Sequence, residues 1–312
     1  MTGVELARTS DGPNGTAAGV MPVVAEQHLL AANAMMSRQR DRVYQIGYGY
    51  RITGLDPGRL VAAVRELVAR VPTLRVVFDE HPVVATEMRV RDRVDVVTEH
   101  PPVDDDPAAV AAFFAELSRG EVDFTAGPLF EAHLAPCGGD HLLFLSWDHT
   151  IVDAWSVALT IRWLGELYSG TGGPPPTAGD FPAFAEQESE GLRSVSDPTA
   201  FWHDQLVDGR AARLRPAAAR PASGVADCVT FALAGTEFGQ RCRAVSATPG
   251  AVLLGAAALT AEPDGPADSP MVLPTMFANR DPRFTESVGL FMRTAMLRVE
   301  PPGDRTLGQA RR

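Results

Sequence analysis

The sequence predicts an α/β protein of two lobes, on three observations. Segments with the two-residue alternation of strands and segments with the 3.6-residue period of helices mix through both halves of the chain. A Gly/Pro-rich stretch, Gly170–Gly179, interrupts them near the middle. The chain has 312 residues, more than the 100–200 or so that one domain usually holds. The expected organisation is a flexible tail over 1–20, an N-terminal lobe over 21–169, a linker over 170–179 and a C-terminal lobe over 180–312.

In the first half, Ile46, Tyr48, Tyr50 and Ile52 alternate within an expected strand Val43–Thr53, which ends at Gly54. Asp56-Pro57 supplies an N-cap with Pro at the first helical position, and Leu60, Val61, Val64, Leu67, Val68 and Val71 form one helical stripe. Short strands are expected at Leu74–Phe78, Val83–Met88 and Val94–Thr98, followed by a helix over Pro107–Arg119. Leu129–Leu134 and His141–Trp147 read as a hairpin joined by a Cys-Gly-Gly-Asp turn. The second strand is nearly all apolar and therefore central. Ala154–Tyr168 carries Trp155, Leu159, Trp163 and Leu167 at near-helical spacing. The second half is expected to hold helices at Asp197–Val207, near Thr236–Val245 and at Thr248–Thr260, with strands at Val229–Leu233, Met271–Phe277 and Ala295–Val299.

Composition narrows the function. Every one of the 28 basic residues is arginine, which excludes a Lys Schiff base, a pyridoxal anchor, a P-loop Lys and a Ser-Lys dyad. A net charge of -11 without a basic run argues against nucleic acid, whose binding needs cations to displace counterions from phosphates. No apolar window approaches the ~20 residues of a membrane span, and the N-terminus has no signal-like apolar core, which places the protein in the cytoplasm. Cys137, Cys228 and Cys242 are widely spaced and odd in number, which suits reduced core thiols rather than disulfides or a metal site; no metal is expected.

The chemistry-bearing residues centre on Asp148-His149-Thr150-Ile151-Val152-Asp153. His149 follows the apolar strand directly, and a strand-end loop is where a rigid scaffold presents functional groups. With an ordinary pKa near 6.5, a His there can serve as a general base. Asp153 can orient its neighbours or pair with an Arg. The same spacing also fits a polar strand-end turn in which Asp153 merely caps the next helix.

The segment Phe144 to Ser156 resembles the His-His-x-x-x-Asp-Gly region of nonribosomal peptide synthetase condensation domains, within the chloramphenicol acetyltransferase-like superfamily. Further matches follow the same family order: Pro72-Thr73-Leu74-Arg75, Asp123 to Leu129, Asp180-Phe181 through Glu188, Phe201-Trp202, and Asn279-Arg280 with Val288-Gly289-Leu290-Phe291. The resemblance runs from about Met21 to the C-terminus. Three positions depart from the pattern: Asp148 replaces the first His, Ala154 the Gly, and Arg293 a common Asn. Asp148, Asp153 and Ser156 also spell the Asp-x-x-x-x-Asp-x-x-Ser pattern of heterocyclisation domains, which usually lack a His at the place of His149.

The resemblance implies two chloramphenicol acetyltransferase-like lobes meeting in a V, with His149 in a tunnel between them. It implies a donor thioester on the phosphopantetheine arm of an acyl or peptidyl carrier protein, a small-molecule or carrier-bound acceptor, and no bound cofactor. His149 would take or orient the acceptor's proton, while Asp153 would be structural, with Arg280 its partner across the lobes. Arg75 and Ser156 are further structural candidates at the site. Three other readings stay open: heterocyclisation, a non-catalytic carrier-binding or recruitment domain, and direct use of acetyl-CoA. Thr306 to Arg312 reads as the opening of a helix that the chain does not finish, so the C-terminal lobe is expected to be truncated relative to the family. A longer protein or a second chain would complete it. The other six histidines, and Trp147, Trp155 and Trp163, read as packing or surface groups, and Asp104-Asp105-Asp106 as a solvated helix start.

Overall fold

The computed structural model describes residues 19–36, 44–119, 122–194, 198–213, 235–260, 262–263 and 270–300. They fall in two compact units, one of Met1–Ser194 with Ala278–Arg293 and the other of Val195–Phe277 with Thr294–Arg312.

In the first unit the order is β1 (Val20–Pro22), α1 (Ala25–Met36), β2 (Gln45–Thr53), α2 (Pro57–Arg70), β3 (Val76–Phe78), β4 (Glu87–Val90), β5 (Val97–Glu99), α3 (Pro107–Leu117), β6 (Phe130–Cys137), β7 (Asp140–Asp148), α4 (Ala154–Ser169) and α5 (Phe181–Ser194). The larger sheet runs β2-β7-β6-β5 and the smaller β1-β4-β3. β7 is antiparallel to both neighbours, with Asp148 opposite Gln45 and Trp147 opposite Phe130. Leu142 through Trp147 are all buried, as a central strand requires. The Asp56 side chain accepts from Arg59 N at 3.0 Å and starts α2, whose stripe of Leu60, Val61, Val64, Leu67 and Val68 is buried in the main core. At the far end of α4, Gly170 takes the left-handed conformation (φ 74°) that closes the helix. Burying this core is the main stabilising term for the unit.

Several expectations shift. Pro72 opens a 3₁₀ turn over Pro72–Arg75, so the strand expected at Leu74–Phe78 begins only at Val76. The strand expected at Val83–Met88 is a turn followed by Glu87–Val90, because Pro82 opens the turn and pairing with β1 and β3 begins only beyond it. The strand expected at Val94–Thr98 is confined to Val97–Glu99, where it pairs with β6. The helices Ala25–Met36 and Phe181–Ser194 and the strand Val20–Pro22 were not anticipated. The stretch 170–179, expected as a linker, lies inside the first unit: Pro176–Gly179 is a 3₁₀ turn with Ala178 buried, and Ala178 O accepts from Val288 N at 3.1 Å. Phe181 and Phe184 then pack against Phe291 and hold α5 to the same core. Trp147 and Trp163 are buried, whereas Trp155 is half exposed.

The second unit contains α6 (Pro198–Leu206), β8 (Arg210–Arg213), α7 (Gly235–Ala244), α8 (Pro249–Thr260), β9 (Glu262–Pro263), β10 (Met271–Phe277) and, beyond Arg293, β11 (Arg293–Val299). Its sheet runs β11-β10-β8-β9, with β10 parallel to β8. Within it, Arg298 pairs with Asp208 at 2.6 Å and donates to Gln205 O at 3.0 Å. The expected strand Val229–Leu233, Cys228, the tail up to residue 18 and the helix opening Thr306–Arg312 lie outside the described residues. Cys137 and Cys242 are buried free thiols. Among the described residues no helix is long and apolar enough to cross a membrane.

Candidate active site

The turn 148–153 joins the central strand β7 to α4, and almost every polar group in it is tied down. Its entry is fixed by the backbone: Asp148 N donates to Leu129 O, and His149 N to Tyr44 O, each at 2.8 Å. The Asp148 side chain then folds back on its own turn, its Oδ1 accepting from Thr150 N at 2.9 Å and from Thr150 Oγ1. This is the local side-chain turn that Asp readily makes. Ile151 N closes the turn on Asp148 O at 3.1 Å. From helix α1, the Gln27 side chain reaches in and donates from Nε2 to Thr150 O at 2.7 Å.

His149 is half-buried, and its Nδ1 lies 2.7 Å from Val152 O. A carbonyl oxygen only accepts, so Nδ1 carries the proton of the neutral ring and Nε2 keeps its lone pair. The ring sits edge-on to Tyr44 at 6.4 Å. One nitrogen is thus spent on orientation and the other keeps a free lone pair.

Asp153 is buried, and both its oxygens are occupied. Oδ1 accepts from Ser156 N at 2.8 Å, which caps α4, and from Arg280 Nη2 at 2.8 Å. Oδ2 accepts from Phe291 N at 3.2 Å and Met292 N at 3.3 Å. Arg280 also donates from its two Nη atoms to Ser156 Oγ (2.6 Å), Phe284 O and Ser287 O (2.8 Å each), while its buried Nε has no partner among the described residues. Its guanidinium lies over Phe291, 4.0 Å from the ring centroid. Burial pulls the Arg280 pKa below the ordinary arginine value, and Asp153 opposes that pull. Ser156 Oγ donates to Gly289 O at 2.7 Å and accepts from Gly289 N at 3.0 Å. The cluster is a buried polar network, satisfied apart from that Nε, that pins the start of α4 to the 280–292 segment. That segment belongs to the same compact unit as the turn, so the Asp153–Arg280 pair lies within that unit.

Five sequence-chosen residues, Asp148, His149, Asp153, Ser156 and Arg280, therefore meet around one turn. Arg75 does not join them; it donates to the carbonyls of Val68 (3.0 Å), Arg91 and Asp92 (3.2 Å) and staples the 3₁₀ turn to the segment after β4. Arg293, the departure after the Gly-x-Phe segment, pairs with Glu188 of α5. Gln27 and the backbone of Gly289 were missed. A Gln just before the apolar run of α1 is all the sequence shows of Gln27.

The condensation domain family model matches residues 18–311. The chain belongs to the condensation domain family. Among curated relatives, it is 28% identical over 283 residues to cyclosporin synthetase simA of Tolypocladium inflatum, covering 82% of this chain and 2% of that protein. It is 29% identical to the dimodular nonribosomal peptide synthase of Bacillus subtilis, covering 84% of this chain and 12% of that one. It is 28% identical to phosphinothricin tripeptide synthetase PhsB of Streptomyces viridochromogenes, covering 83% of this chain and 23% of that one. The condensation domain thus spans only a small part of these synthetases. Its fold is similar to the X-domain from teicoplanin biosynthesis solved with OxyB (TM-score 0.72, 21% identity, 98% of this chain and 70% of that chain). It is also similar to the cyclization-docking bidomain of EpoB from Sorangium cellulosum (TM-score 0.70, 19% identity, 93% and 62%). The mixed helix and sheet architecture expected from the sequence is that of solved condensation domains.

Proposed function

We propose that this condensation domain transfers an acyl group from a phosphopantetheine thioester on an acyl or peptidyl carrier protein to an amine or hydroxyl, forming an amide or ester. The observation that carries this reading is the His149 ring, whose Nδ1 is committed to Val152 O while Nε2 is left as a base. The acceptor nitrogen or oxygen bonds to the thioester carbon as Nε2 takes or orients its proton. The C–S bond then breaks, and the proton passes to the departing thiolate of the arm. Asp153 and Arg280 do no chemistry in this account; they hold the helix that follows the turn.

Heterocyclisation draws less support from the bonding. It would employ Asp148 and Asp153, yet Oδ1 of Asp148 is engaged by Thr150, and Asp153 accepts four hydrogen bonds. The non-catalytic recruitment reading keeps two observations in its favour, Asp148 in place of the family's first His and Ala154 in place of its Gly. Intact-mass analysis of a loaded carrier protein incubated with the chain and a panel of amines and alcohols tests the proposal. Acyl-acceptor products that disappear with His149→Ala support it. A product lighter by one water supports cyclisation, and carrier binding without transfer supports recruitment.

A further inference from the structure

Helix α1 contributes two buried polar side chains, Glu26 and Gln27, of which Gln27 is wholly inaccessible to solvent and sits 123 positions from its main partner. Its amide is fully directed: Oε1 accepts from Val24 N at 2.9 Å, and Nε2 donates to Thr150 O at 2.7 Å, with Met88 Sδ 3.1 Å away. Thr150 is itself buried. We propose that Gln27 is the positioning residue for His149, acting through the Thr150 carbonyl; this rests on the reading of His149 as the base.

The coupling follows from the bonds around the turn. Val152 lies just beyond Ile151, the next residue after Thr150, and Val152 O is the acceptor that orients the His149 ring. The backbone groups around Thr150 are otherwise held from within the turn or by backbone: Asp148 bonds Thr150 and Ile151, and Tyr44 O accepts from His149 N. Among the described residues, Gln27 is thus the side chain from outside the turn bound to its middle. Without the Nε2 donor, a buried carbonyl loses its partner, which favours rotation of the 150–151 peptide even at the expense of the Ile151 N bond to Asp148 O. That rotation moves Val152 O and releases the ring from one tautomer and one direction. A general base must lie within hydrogen-bond reach of the proton it takes, so a small displacement lowers turnover rather than substrate binding.

The conservative variant Gln27→Glu gives a readout that packing alone does not. When neutral, the introduced carboxyl can donate its O–H to Thr150 O while its other oxygen accepts from Val24 N; when ionised, it puts negative charge against the carbonyl. In the full chain with a loaded carrier and an accepted amine, the parent and Gln27→Glu are compared across pH at saturating substrate. Gln27→Glu should approach parental kcat at the acidic end and fall about ten- to hundredfold below it as the new carboxyl ionises, with KM changing less than about threefold. Gln27→Met, similar in size but without a donor, should be slow at every pH. Long-range ¹⁵N–¹H spectra of the His149 ring provide the second measurement, which holds even if no transfer is found. The parent should show a single Nδ1–H tautomer, and Gln27→Met a mixture. A kcat profile for Gln27→Glu that parallels the parent's within about twofold would overturn the inference, as would an unchanged tautomer in Gln27→Met. Absence of transfer in the parent, with the tautomer shift present, would instead overturn the catalytic reading and leave the positioning role standing.

Discussion

Replacing Asp153 by Ala removes the acceptor of four hydrogen bonds and leaves the Arg280 guanidinium buried without its carboxylate. Breaking one partner of such a buried pair typically costs about 3–5 kcal/mol, because the remaining charge is uncompensated. Here the two side chains have exposures of only 3% and 5%, so solvent cannot take over the lost role. For a unit of this size each kcal/mol lowers the melting temperature by about 2–4 °C, giving an expected drop of about 6–20 °C. His149→Ala is the control. It removes a single bond, to Val152 O, from a half-buried ring, which should cost about 0.5–1.5 kcal/mol. Differential scanning calorimetry on parent, Asp153→Ala, Arg280→Met and the double variant reads both quantities. The double variant should recover part of the loss, since neither charge is then left alone. Equal melting temperatures for Asp153→Ala and His149→Ala would refute the reasoning, and strictly additive losses in the cycle would show that the two charges do not act as a pair.

Two further outcomes concern the reaction. His149→Ala should lower acyl transfer by about 10²–10⁴ while keeping a cooperative melt, measured by product mass from a loaded carrier; activity within a few-fold of the parent would remove His149 from the mechanism. Asp148→Asn retains the Oδ1 that Thr150 bonds, so condensation should continue at most of the parental rate. Loss of a dehydrated product with that substitution, read in the same mass spectrum, would point to cyclisation instead.

Where a signal was local, the sequence carried it. Asp56-Pro57 followed by a single apolar stripe gives α2 its start and its buried face, and the unbroken Leu142–Trp147 run gives β7 its central place. What failed to show depends on partners distant in the chain. β1 is three residues long and exists by pairing with β4, which lies beyond α1, β2, α2 and β3 in the chain. α5 looked like the far side of a Pro/Gly linker, yet Phe181 and Phe184 bury themselves against Phe291, a contact that no window of sequence contains. The site divides in the same way. The place of His149 in a polar turn after an apolar strand is a local pattern, and the resemblance singles it out, whereas Gln27 is defined by a bond across 123 positions. Arg280 was reachable only through the resemblance, since nothing around Asn279-Arg280 distinguishes that Arg from the other basic residues.

Asp153 joins both kinds of information in one side chain, and this makes its conservative replacement the sharper test. The cap on Ser156 N is local and readable from an Asp before a helix; as a cap alone, Asn serves about as well as Asp. The bonds to Phe291 N and Met292 N are not local, and they occupy the second oxygen. In Asp153→Asn, an amide nitrogen must replace one of the two oxygens. Facing Phe291 and Met292, it sets donor against two donors; flipped, it sets donor against Ser156 N and Arg280. Either arrangement strands two buried donors at about 1–3 kcal/mol each, so Asp153→Asn should lose about 2–6 kcal/mol although as a cap Asn is adequate. A melting temperature within about 1 °C of the parent, far less than that loss implies, would mean that Asp153 does no more than begin α4, and that the 280–292 segment is held to the 148–153 turn by other contacts.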